Sequence, residues 1–216
     1  MRNARMMKLA VLMLWGSAAA MATIVFGNTA NDTGNTFFYS ANGASELGDQ
    51  IHLGGTDRSA TTAEVQFFNQ GSAGTFDAIL RLYQVGSPVG AQLGGSFSVT
   101  GIATAGGDVL NVTFNSLNLV VPDDLIFTVA LNNVSSGVDL GLDMFEPPTI
   151  GSSDNTFMIA KQGSSFTQLG TCGQPQPTPC VNTFFELDAT TVPEPGSILL
   201  TLLALPAFAL VRKRLR

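Results

Sequence analysis

The feature that most limits this chain is a period of two. In "FDAILRLYQV", Phe76, Ala78, Leu80 and Leu82 alternate with Asp77 and Arg81. An extended backbone therefore sends the apolar set to one face and the charged pair to the other. "VLNVTFNSLNLVV" sets Leu110, Val112 and Phe114 against Asn111, Thr113 and Asn115. "DLIFTVAL" carries Leu125, Phe127 and Val129 on one face and Ile126, Thr128 and Ala130 on the other. That is apolar enough on both faces for a strand in the middle of a sheet. "ELGDQIHL", "TAEVQFFN", "GSFSVTGI", "VDLGLDMF", "NTFMIAKQ" and "NTFFELDATTV" read as further strands. Between them fall turn formers such as "LGGTDRSAT", "NQGSAGT", "TAGGD" and "EPPTIGSSDN". No stretch of the body shows a 3.6-residue stripe. The pattern predicts an all-β fold, an antiparallel two-sheet sandwich with a jelly roll as the expected arrangement. The irregular spacing and the lack of an internal repeat speak against a propeller or a β-helix.

Charge narrows the partners. The whole chain is −6, but its ends hide a stronger imbalance. All 16 acids lie between Asp32 and Glu194, where Arg58, Arg81 and Lys161 are the only cations, a balance of −13. Such a body repels polyanions, so nucleic acid is excluded as a partner. The body spans residues 23–191, a balance of −12 because Glu194 falls in the tail, and is long enough for one domain with a full core.

Both ends carry the marks of export. "MRNARMMKLAVLMLWGSAAAMA" sets Arg2, Arg5 and Lys8 before an apolar run from Leu9 to Trp15, then small residues. This is the layout of a secretory signal, residues 1–22, with Ala20 and Ala22 flanking Met21 as the cleavage site and Thr23 as the expected mature N-terminus. At the other end, Ile198–Val211 is a run of 14 residues whose only polar member is Thr201. A helix of that length covers roughly 21 Å, short of the ~30 Å hydrocarbon core. Residues 196–197 and the snorkelling side chains of Arg212, Lys213, Arg214 and Arg216 extend it. The basic cluster is expected to stay cytoplasmic, leaving the body across the membrane. Export also sets the expectation for the two cysteines in "CGQPQPTPC": Cys172 and Cys180 form a disulfide that clips a proline-stiffened loop.

The tail has a specific likeness. Val192-Pro193-Glu194-Pro195, then a hydrophobic helix over about 196–211, then the basic residues 212–216, resembles the PEP-CTERM sorting signal of Gram-negative bacteria. The resemblance covers residues 192–216. It implies processing by exosortase, a membrane-embedded cysteine protease-transpeptidase, and passage from the inner membrane, with the body in the periplasm, to the cell surface or matrix. Pro193, Glu194 and Pro195 would serve as a recognition element, which the two prolines keep extended. "LGDQIHLGGTDRSATTAEVQFFN" and "LVVPDDLIFTVAL" are also similar to ectodomains of such proteins, which implies a sandwich without naming a ligand.

Catalytic chemistry finds little footing. A Ser-His-Asp arrangement would have to use His52, and no G-x-S-x-G elbow accompanies it. A strand histidine in "QIHLG" reads as a surface or half-buried residue. The 16 acids offer pairs for glycoside hydrolysis, but sequence sets no two of them face to face. Gly54-Gly55 and Gly94-Gly95 read as turn glycines, without a phosphate-binding lysine. Trp15 leaves with the signal, so a sugar-binding platform would fall to Tyr39 or Tyr83, the phenylalanines reading as core. Asp139, Asp143, Asp154, or Glu46 with Asp49, could offer oxygens to calcium. No D-x-D-x-D-G loop gathers them, and solvated acids are the preferred reading. Sequons at Asn31, Asn111 and Asn133 carry no information in most bacteria. The expectation is therefore a non-enzymatic structural or adhesive surface protein without cofactor or metal. The alternative is an exopolysaccharide-binding protein, and a glycoside hydrolase comes third.

Overall fold

The computed structural model describes residues 21–153, 156–171 and 182–192. Most of the expected signal segment, the expected Cys172–Cys180 clip, Asp154 and the tail from Pro193 to Arg216 lie outside the described residues. The chain runs β1 (Thr23–Asn28), β2 (Asp32–Phe38), one helical turn α1 (Tyr39–Asn42), β3 (Glu46–His52), β4 (Ser59–Asn69), β5 (Gly74–Val85), β6 (Val89–Thr104), β7 (Val109–Phe114) and β8 (Leu119–Val120). It continues through β9 (Asp124–Asn132), β10 (Leu140–Phe145), β11 (Ser152–Ser153), β12 (Thr156–Gln162), β13 (Ser165–Thr171), β14 (Asn182–Thr183) and β15 (Phe185–Thr190). The fold is all-β, as the period of two requires.

Two antiparallel sheets share one core. The eight-stranded sheet follows the order β1-β15-β4-β10-β14, with β2 paired to β10 and with β7 and β8 paired to β4. The seven-stranded sheet follows β13-β12-β3-β9-β5-β6, with β11 paired to β3. Phe76, Ala78, Leu80 and Leu82 of β5 are all fully buried in the core, as their alternation demands. β9 lies between β3 and β5 and is buried on both faces, the place its sequence predicts. Aromatic rings join the layers. Phe127 of β9 stacks on Phe185 of β15 with centroids 3.8 Å apart and planes 4° from parallel. Phe67 of β4 meets Phe76 of β5 edge-on at 5.5 Å. Each such side chain, fully buried, contributes about 1.5–3 kcal/mol.

Several segments depart from the sequence reading. "VLNVTFNSLNLVV" is broken after Phe114, because Ser116 and Asn118 take left-handed backbone with φ of 59° and 46°. Between them Leu117 dips into the core and its N–H bonds Thr61 O. "NTFFELDATTV" changes partner at Phe184: β14 pairs with β10, whereas β15 pairs with β1 and β4. Gly94-Gly95 is not a turn. It lies inside β6, where residues 94–96 stand opposite Arg81 alone and Gly94 takes φ 62°, a bulge. Strands β1, β2 and β13 have no counterpart among the sequence-predicted strands, and β11 falls within the predicted turn "EPPTIGSSDN". β1 begins at Thr23, the expected mature N-terminus, where its Cα faces Ala189 of β15.

Candidate functional site

The outer face of the seven-stranded sheet is where the body gathers its scarce cations. Register alone builds it. Lys161 of β12 stands opposite Glu46 of β3, and Arg81 of β5 stands opposite Thr128 of β9, which in turn faces Gly48 of β3. Glu46 is only 3% exposed. Its Oε1 lies 2.8 Å from both Arg81 Nη1 and Lys161 Nζ. Its Oε2 accepts from Thr128 Oγ1 at 2.8 Å and from the Tyr83 hydroxyl at 3.4 Å. Burial pushes the Glu46 carboxyl up, but the Lys161 and Thr128 hydrogen bonds and the charges of Arg81 and Lys161 together outweigh it. The carboxyl is held below its ordinary 4.5 and stays ionised at neutral pH. Burial first, and the Glu46 charge second, push the Tyr83 phenol up.

Gly48 permits this packing. A Cβ at that position would sit 1.8 Å from the carbonyl oxygen of Phe127, so only glycine lets β3 and β9 run so close. Over this part of the sheet Tyr83, Ile126 and Ile159 form a small apolar cluster with Val89 and Phe166. The Tyr83 and Phe166 rings meet edge-on at 5.4 Å, and Lys161 Nζ stands 5.3 Å from the Phe166 ring centre. In a flat sheet β13 and β5 would be about 19 Å apart, four strand spacings. Two side chains cannot bridge that gap, so the sheet bends and its outer face is concave.

One end of the hollow is a cleft of about 390 Å³. Gln50 and Ile159 lie beneath it, the turn Gly86–Ser87–Pro88 forms one wall, and Phe166, Thr167 and Gln168 of β13 form the other. The turn is tight, since a Cβ on Gly86 would come within 2.4 Å of Gly90 N. Gln66, Gln70, Gln92 and Gln162 use their amides in internal hydrogen bonds. The amides of Gln50 and Gln168 and the Ser87 hydroxyl have no hydrogen bond within the described residues. A second hollow, of about 350 Å³, lies by α1 near Tyr39, Val134 and Asp139. Two of its polar groups are already paired, Ser40 Oγ donating to Asp139 Oδ1 at 2.7 Å. The first cleft is therefore the better equipped to bind a ligand.

The acids and aromatics singled out in the sequence are dispersed. Tyr39 is no platform: it is buried, with its hydroxyl bonded to Val129 O at 2.9 Å. Tyr83 is also buried, its ring covered by Phe166. Glu46, Asp49 and Asp143 are not solvated acids but buried ones. Asp49 caps its neighbour's N–H, and Asp143 accepts from Thr36 Oγ1 at 2.7 Å. Burial is the main cause that raises the Asp143 carboxyl. Asp139 binds Ser40 and Gln70 instead. Among the described residues no three His, Cys, Asp or Glu side chains gather as a metal site. His52 is exposed at the end of β3, with Nδ1 2.8 Å from Asp124 Oδ1.

The sequence does hold a signal for the Glu46 cluster. Arg81 and Lys161 sit inside apolar runs, "AILRLYQV" and "FMIAKQ", where a lone cation needs a buried counter-charge. No protein-family profile, curated protein or solved structure matches the chain.

Proposed function

We propose that this chain is an exported surface or matrix component, sorted by an exosortase-type system and acting without catalysis as a structural or adhesive element. The observation that carries the reading is the order of parts in residues 192–216: the Pro193-Glu194-Pro195 triplet, the apolar run and the basic end. An acidic all-β body suits such a setting, because its surface favours solubility and resists polyanions. The body reads as a jelly roll. Two four-strand paths, β2-β10-β4-β7 and β3-β9-β5-β6, support this, with the chain crossing between sheets from β2 through β5 and again from β6 through β10.

Fractionation tests the sorting step in a host with an exosortase. Replacing Pro193, Glu194 and Pro195 by alanine leaves export intact and strands the protein in the inner membrane with its tail attached. Deleting Arg212–Arg216 instead disturbs topology, since those charges hold the C-terminus in the cytoplasm. Wild-type protein found at the surface still ending in Arg216 would overturn the sorting reading.

A further inference from the structure

We infer that the cleft between the β5–β6 turn and β13 binds a segment of neutral polysaccharide. Three observations converge on that chemistry. First, the free hydrogen-bonding groups there are uncharged: the amides of Gln50 and Gln168 and the hydroxyl of Ser87. Planar amides that both donate and accept suit vicinal hydroxyls, whereas among the described residues no cation lines the cleft to hold a carboxylate or phosphate. Second, the half-buried Phe166 ring borders the same space, beside the apolar Ile159. That arrangement matches a pyranose, which has apolar C–H faces and a hydroxylated rim. Third, the volume of about 390 Å³ lies within the range of small-molecule sites.

The site is also pre-formed. Phe166 is held by the Tyr83 ring and by Lys161, and both of those are fixed on Glu46. Ligand binding would not have to order them, which limits the entropy cost that weakens flexible sites. The acidic body adds selectivity by repelling anionic polymers at long range. This inference concerns the body alone and stands or falls separately from the sorting of the tail.

The test uses the full-length chain purified in mild detergent. Isothermal titration is run against neutral cello-, laminari-, malto- and manno-oligosaccharides, and against oligogalacturonate and oligoalginate as anionic counterparts. At least one neutral series should bind, and the anionic ones should bind more weakly. Gln168→Ala, at an exposed position, should weaken binding about tenfold, the loss of one or two hydrogen bonds, with an unchanged thermal melt. Gln50→Ala should act similarly. Glu46→Gln, which touches no ligand, should weaken binding by loosening Phe166, and a Glu46→Asp variant should restore it in part. Absence of binding to every neutral series, stronger binding of the anionic ones, or full affinity in the Gln50→Ala/Gln168→Ala double variant would each overturn the inference. So would displacement of the sugar by a short uncharged peptide at equal concentration.

Discussion

The two sheets share a core but treat charge in opposite ways on their outer faces. On the seven-stranded sheet, acids are compensated. Glu46 has two cations, and the exposed Asp77 accepts from Gly101 N–H and Asn133, which hold its carboxyl low. On and beside the eight-stranded sheet, acids face one another. Glu186 of β15 stands directly opposite Glu64 of β4, with Asp188 two residues along. Burial, then Asp188 and Glu64, raise the Glu186 carboxyl; burial raises Glu146, and Asp143 is raised as described above. With only three cations in the body, two were placed on a single carboxylate. The difference shows where local order is maintained at some cost: the face that holds the cleft is fixed by charge, and the other face tolerates acids that are raised first by burial and only then by one another.

The largest effect should come from Gly48→Ala. The obstacle is backbone rather than a movable side chain, so the loss should reach or exceed the upper end of the usual overpacking range, about 3 kcal/mol. Urea unfolding measures it, and a loss under about 1 kcal/mol would show that β3 and β9 can part cheaply. Next comes Glu46→Gln, which leaves two half-buried cations without their carboxylate. A loss on the order of 3 kcal/mol is expected, reduced at high salt to the extent that Arg81 and Lys161 reach solvent. An equal loss from Asp143→Asn would erase the contrast between the faces, because that change should be neutral or stabilising by about 1 kcal/mol.

A pH series sharpens the same contrast. Glu46 has a folded-state value below the 4.5 of an ordinary glutamate. Its contribution is therefore present above 4.5 and is lost as pH falls through the lowered value. Asp143, Glu146 and Glu186 have raised values, so their contribution is fully present at low pH and is lost as pH rises through those values. The urea midpoint should rise as pH falls from neutrality through the raised values of those three acids, then drop once pH passes below the lowered value of Glu46. In Glu46→Gln the acid-side collapse should be weaker. A midpoint that rises nowhere between neutral pH and 4.5 would remove the cost of burial and like charge assigned to the acids of the eight-stranded sheet. The smallest effect is Glu186→Gln, a gain of a few tenths of a kcal/mol at neutral pH from removing one of two facing like charges.

The sequence made the core legible because burial is written in its alternation. β5, β7 and β9 could be read residue by residue, since one face is apolar, or in β9 both. β2 could not, because "DTGNTFF" begins with turn formers and Gly34 takes φ 70° within the strand. β13 hid for another reason: Phe166 turns outward, to a cluster that exists only because the sheet bends. The cleft was hidden for the same cause. Gln50 and Gln168 lie more than 100 positions apart, and no local pattern says that curvature will face them toward one space. Glu46 read as a solvated acid because its two cations come from different strands, and pairing of that kind is decided by register.

The ladder between β1 and β15 sets how the body would carry a mechanical load. Thr23 faces Ala189, so the first strand starts where the last one finishes, at one corner of the eight-stranded sheet. The cleft lies on the outer side of the opposite sheet. Tension between a chain held at Val192 and a polymer held by Gln168 therefore crosses the whole thickness of the molecule. It enters through β15, which is bonded to β1 on one side and to β4 on the other. For a pull along the strand, both ladders must slide together before either yields, and the stacked rings of Phe127 and Phe185 tie that strand to the far layer. Such a body resists being drawn out by its end far better than a hairpin whose bonds open one at a time.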